Sequence, residues 1–207
     1  MAVGRRNGMI VDEDEEDGAL FEEEVELGAE SDTPPHLRDL LVAVERGSVD
    51  GLRLALDNLD GSIDEPLEDG DTALHLTCLY GHLPCVQLLL ERGASLDPKD
   101  EDGAIPLHDA CAGGFTQIVQ LLLDKANDPQ RVMRMLQTVD VEGDSPLHHA
   151  ARGECVDVIR LLLSYGASPT SINVYGKTPS ELADPGSEAR SILEAAANSA
   201  TNQRVLG

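Results

Sequence analysis

Thr72-Ala73-Leu74-His75, Ile105-Pro106-Leu107-His108, Ser145-Pro146-Leu147-His148 and Thr178-Pro179-Ser180-Glu181 are four versions of one tetrapeptide, with starts 33, 40 and 33 residues apart. Thirteen residues after each of the three histidines a Leu triplet begins: Leu88 to Leu90, Leu121 to Leu123 and Leu161 to Leu163. Gly93-Ala94 and Gly166-Ala167 follow two of the triplets in the same register. Repetition at this period marks a stacked array of small units rather than one closed globule.

The residue types explain the helices. Pro106, Pro146 and Pro179 suit the first turn of a helix, where the missing N–H costs nothing. Thr72, Ser145 and Thr178 offer capping hydroxyls. Gly81 and Gly114 permit a tight turn between two helices. Leu74, Leu107 and Leu147 face the neighbouring unit, because one helical pair alone buries too little apolar surface.

These segments resemble the ankyrin-repeat family, over about residues 34–197. The resemblance implies an all-α solenoid of about five helix–loop–helix–hairpin units, at about 34–67, 68–99, 100–139, 140–173 and 174–197. The first lacks the tetrapeptide and reads as an N-terminal cap. The last has Ser180 and Glu181 in place of Leu and His and reads as a C-terminal cap. Residues 198–207 are expected to fray. The third unit carries seven extra residues before Ser145; Asp128-Pro129 reads as a helix start, with Val132, Met133 and Leu136 on one face. Glu154 stands where the inter-helix glycine is expected, with Gly153 beside it as the residue to take the turn. Asp97 and Thr170 occupy positions where the family often has Asn, so hydroxylation of that Asn is not supported there.

Composition narrows the function. The 207 residues carry a formal net charge of −24, and aromatics make up 2%. Such a chain repels nucleic acid and anionic lipid. Few large rings fit a thin Leu, Val and Ala core. No run of about 18 apolar residues suggests a membrane span. Residues 11–32 hold twelve Asp or Glu and no Lys or Arg, so residues 1–33 are expected to form a disordered acidic tail. Leu20, Phe21, Val25 and Leu27 lie among those acids. With no apolar import signal at the N-terminus, cytoplasmic or nuclear residence is expected. The four cysteines, Cys78, Cys85, Cys111 and Cys155, form no C-x-x-C pair.

Two constellations invite a chemical role. His75 with Cys78 and His108 with Cys111 recur on adjacent units and supply the ligand types of a zinc site. The resemblance assigns the histidines instead to hydrogen bonds between repeats, and the cysteines to sites of small packed residues. His148-His149 near Cys155 hints at a nucleophile and base, but no third group completes it. No catalytic residue, metal or cofactor is assigned.

The remaining reading is a protein-binding module, an adaptor or scaffold acting as a monomer. Its candidate partner-binding residues are the hairpin acids Glu68, Asp69, Asp71, Glu101, Asp102, Glu142 and Asp144. By family position, Leu79, Tyr80, Ala112, Gly113 and Arg152 face the concave groove. An acidic strip fits a partner with a basic or mixed surface. The alternative is a transcription or chromatin regulator whose acidic tail engages basic proteins. The pattern is similar to that of compact ankyrin proteins with no other recognised domain, found in plants among other eukaryotes.

Overall fold

The computed structural model describes residues 34–67 and 69–205; the expected acidic tail and Glu68 lie outside them. Among the described residues there are eleven α-helices, after a short 3-10 turn at Pro35–Leu37. They are α1 (Arg38–Glu45), α2 (Val49–Asp57), α3 (Ala73–Leu79), α4 (Leu83–Glu91), α5 (Pro106–Ala112), α6 (Thr116–Lys125), α7 (Pro129–Gln137), α8 (Pro146–Arg152), α9 (Val156–Ser164), α10 (Pro179–Leu182) and α11 (Glu188–Val205).

The helices form two layers. α1, α3, α5, α8 and α10 pack side by side in that order, and α2, α4, α6, α9 and α11 form the second row behind them. This is the all-α solenoid that the resemblance of the tetrapeptide segments implies. Each tetrapeptide starts a front-row helix with proline or alanine as its first residue. The Leu triplets lie in α4, α6 and α9, where Leu89, Leu122 and Leu162 are fully buried. With Leu74, Leu107, Leu147 and Ile159 they make one core running through the array. Burying each such side chain contributes about 1.5–3 kcal/mol.

The histidines tie the array together. Thr72 N–H donates to His75 Nδ1 at 3.1 Å, and His75 Nε2 lies 3.4 Å from the Ala104 carbonyl of the next hairpin. His148 repeats both contacts, with the Ser145 N–H and the Lys177 carbonyl, the latter at 3.2 Å. The cap hydroxyls of Thr72 and Ser145 turn to these rings, at 3.0 and 2.8 Å. In the last version Glu181 replaces the ring, accepting from the Thr178 N–H at 2.9 Å. Glu181 therefore keeps the helix-start contact despite the changed residue type.

Three local expectations are corrected. The seven-residue insertion does form a helix, α7, with Asp128 capping the Gln130 N–H at 3.0 Å. Its inward face is Val132, Met135 and Leu136, however, while Met133 is exposed. Before α9 the left-handed residue is Glu154 itself, at φ 54°, and not Gly153. Its carboxylate accepts from the Asp184 N–H at 2.6 Å, which holds the unusual backbone in place. Finally, α11 continues through residues 198–205, where fraying was expected.

Candidate functional site

Between successive helical pairs the chain makes a hairpin whose tip glycine is left-handed: Gly70, Gly103, Gly143 and Gly176 have φ of 79°, 78°, 74° and 69°. Only glycine occupies this conformation without strain. A side chain closes each of the later hairpins. Asp100 Oδ1 accepts from the Ala104 N–H, Asp140 Oδ1 from the Glu142 and Asp144 N–H groups, and Asn173 Oδ1 from the Tyr175 and Lys177 N–H groups.

Backbone bonds then join tip to tip. Glu101 N–H donates to the Asp69 carbonyl at 3.2 Å, Val141 N–H to Asp102 at 2.7 Å and Val174 N–H to Glu142 at 2.9 Å. The four tips therefore form one continuous ridge.

The expected site residues fall into two groups on this frame. Asp69, Glu101 and Asp102 are exposed at the first two tips, and Asp71 is half-buried beside them. Leu79 and Tyr80 are 44% and 45% exposed at the end of α3, too open for core residues of their size. Ala112 and Gly113 are exposed at the end of α5. These residues are available to a partner.

The acids of the third hairpin differ. Asp144 is fully buried, so it cannot belong to an open acidic strip. One of its oxygens accepts from Asn173 Nδ2 at 2.8 Å, and the other from Arg152. Arg152 also reaches Glu142 at 3.4 Å, so this groove cation is already paired. His149 Nε2 donates to Asp140 Oδ2 at 2.7 Å. Burial alone would raise the Asp140 carboxyl, but this bond and the Asp144 N–H bring it below the usual carboxylate range.

No described cation pairs with the acids of the first two hairpins, and they load one another. Burial, with repulsion from Asp100, Asp69 and Asp102, pushes Asp71 up to about 6. On α5, Asp109 stands at the register position of Leu76. Burial raises it to about 8, with Asp71 and Asp100 adding to the shift, and its Oδ2 is enclosed without a hydrogen-bond partner.

The candidate chemical constellations are committed to structure. His75 and His148 use both ring nitrogens within the fold. Burial lowers both rings' basicity and pushes the Cys78 and Cys111 thiols well up, away from the thiolate that metal binding or attack requires. Burial and Glu154 likewise raise Cys155. Asp71, His75 and Asp100 bring ligand atoms within 4.8 Å of one another, as do Asp140, Asp144 and His149. In both groups the histidine nitrogens that face a neighbour already have partners.

Charge counting missed part of the ridge. Val139, Val141, Ile172, Val174 and Tyr175 are exposed on the third and fourth hairpins. Their register gives them away: Val141 and Val174 stand in the column of Glu101, and Tyr175 in that of Asp102.

No described helix is long and apolar enough to cross a membrane. No curated protein matches the chain. A family model that describes ankyrin repeats three at a time matches residues 40–133 and 96–173. The repeated helical pairs, the bonded hairpin ridge and this match together place the chain in the ankyrin-repeat family, whose repeats are generic protein-interaction modules.

Proposed function

We propose that this chain is an adaptor that holds a protein partner against the groove side of the array, with the acids of the first two hairpins as its main contact. One observation carries this reading. Asp69, Asp71, Asp100, Glu101 and Asp102 gather at two adjacent tips with no ion pair to a described cation, while the third hairpin spends its acids on Arg152, Asn173 and His149. Uncompensated charge of one sign steers and selects partners of the other sign. Leu79 and Tyr80 add apolar contact beside it, and Tyr is a residue type favoured at binding hot spots.

The test is a charge reversal, Asp69→Lys with Glu101→Lys and Asp102→Lys, in the full chain. All three side chains are exposed, so helical content should be retained. Pull-down of partners from cells, followed by mass spectrometry, is expected to lose those with basic surfaces. An unchanged partner set on a folded variant would remove the acidic tips from the function.

A further inference from the structure

The four hairpin tips align column by column. They read Glu68-Asp69-Gly70-Asp71, Glu101-Asp102-Gly103-Ala104, Val141-Glu142-Gly143-Asp144 and Val174-Tyr175-Gly176-Lys177. The first two are acidic. The third puts Val141 in the column of Glu68 and Glu101 but keeps Glu142 and Asp144; the fourth carries Val174 and Tyr175 and ends on a cation.

Burial deepens this division. Nine large apolar side chains are exposed among the described residues, and five of them lie on the third and fourth hairpins. Val139 and Val141 are two residues apart in one hairpin, and Ile172 and Val174 are two apart in the next. Val141 and Val174 stand in the hairpin turns, and each is exposed together with the apolar residue two positions before it. The tip bond from Val174 N–H to the Glu142 carbonyl sets the two hairpins against each other, and Tyr175 Oη reaches Glu142 Oε1 at 3.4 Å. β-branched and aromatic side chains exposed in register on neighbouring hairpins form a patch, not scattered surface residues.

We infer that the ridge binds an extended polypeptide segment in one polarity, with Lys or Arg over the first two hairpins and bulky apolar side chains over the last two. The inference rests on the groove-side binding proposed above and adds the chemistry and direction of the occupant. Charge decides both. The acidic tips have no described intrachain cation to displace, so a basic side chain there gains attraction without breaking an ion pair. At the third hairpin Glu142 is held by Arg152, and at the fourth Lys177 is paired with Glu181, so neither hairpin offers an unpaired acid at its tip. What those hairpins offer instead is apolar area, which favours burial by apolar side chains.

The test uses three synthetic fluorescent peptides and the full chain at physiological ionic strength. One carries Lys-Arg-Lys and Ile-Leu-Phe-Val separated by a Gly-Ser spacer. The second replaces the apolar block with Ser, and the third replaces the basic block with Ser. Fluorescence anisotropy should show the two-block peptide binding at least about tenfold tighter than either single-block peptide. Val141→Ser with Val174→Ser and Tyr175→Ser should bring the two-block peptide down to the affinity of the basic one. A nitroxide on the apolar end should broaden the amide resonances of residues 139–141 and 172–175, and one on the basic end those of 69–71 and 100–103.

Equal affinity of the two-block and basic peptides, or broadening at the opposite hairpins, would overturn the inference. The proposed acidic contact would survive that result if the basic peptide is still lost on Asp69→Lys, Glu101→Lys and Asp102→Lys. Binding by none of the peptides would overturn both.

Discussion

Asn173 donates its side-chain amide to the buried carboxylate of Asp144 at 2.8 Å, across the joint between the third and fourth hairpins. The same Asn173 closes its own hairpin through its carbonyl oxygen. One side chain thus shapes a turn and binds it to the turn before. Arg152, half-exposed, covers the remaining oxygen of Asp144. Arg152→Leu leaves that oxygen enclosed and unpaired. The loss should be about 1–3 kcal/mol of stability, below the figure for a fully buried pair because water reaches the arginine site. Urea unfolding measures it, and an unchanged midpoint would contradict the pairing.

Asp109 makes stability depend on pH with a definite sign. Burial pushes its pKa in the folded chain up to about 8, far above the ordinary aspartate value of 3.8. Between the two, the folded chain holds a proton that the unfolded chain has released. Stability from this group is therefore full below about pH 4, falls as pH rises toward 8, and stays low above it. Asp109→Asn removes the effect. Relative to wild type the variant should gain steadily as pH rises toward 8, with little difference near pH 4. Paired urea melts across this range check it; a difference that does not change with pH would refute the burial of the acid.

His108 breaks the pattern that His75 and His148 set. It accepts the Ile105 N–H at 3.1 Å, but its buried Nε2 has no hydrogen-bond partner. Burial and the nearby His149 push its pKa down to about 4, so the ring stays neutral. His148→Ala should therefore cost more stability than His108→Ala, by about 0.5–1.5 kcal/mol for the extra bond. Equal losses in thermal or urea melts would show that the Lys177 carbonyl contact carries no weight.

Packing between pairs is tested at two sites. Leu122 is fully buried in α6, and Leu122→Ala should cost about 2–5 kcal/mol. Gly81 has φ 75°, and a Cβ there would run into the Phe115 ring. Gly81→Ala should add strain and overpacking, with a loss of about 1–3 kcal/mol. A melt indistinguishable from wild type for either variant would place that side chain outside the joint it is assigned to.

Much of the fold was legible because its signals repeat. The tetrapeptides and Leu triplets recur in register, and each occurrence supports the others. What was not legible depends on single side-chain directions. Asp71 and Asp144 occupy one column, yet only Asp144 turns fully inward, because Asn173 and Arg152 wait for it, whereas Asp100 and Leu79 stand at the same offsets from Asp71. In α7 the choice between Met133 and Met135 rests on how the insertion is tilted against its neighbours, which periodicity over nine residues does not fix. Glu154 adopts a glycine-like backbone through a distant partner, Asp184. The exposed valines followed from register alone, but acids in the same columns drew the eye away from them.

At Glu101, Val141 and Val174 the bonds from tip to tip run through the main chain. At these three positions the pitch of the row is therefore independent of its lettering. Replacing a valine by an acid, or an acid by a tyrosine, would alter which guest is chosen while leaving the distance from one position to the next untouched. A row built this way can change its vocabulary one character at a time without being rebuilt.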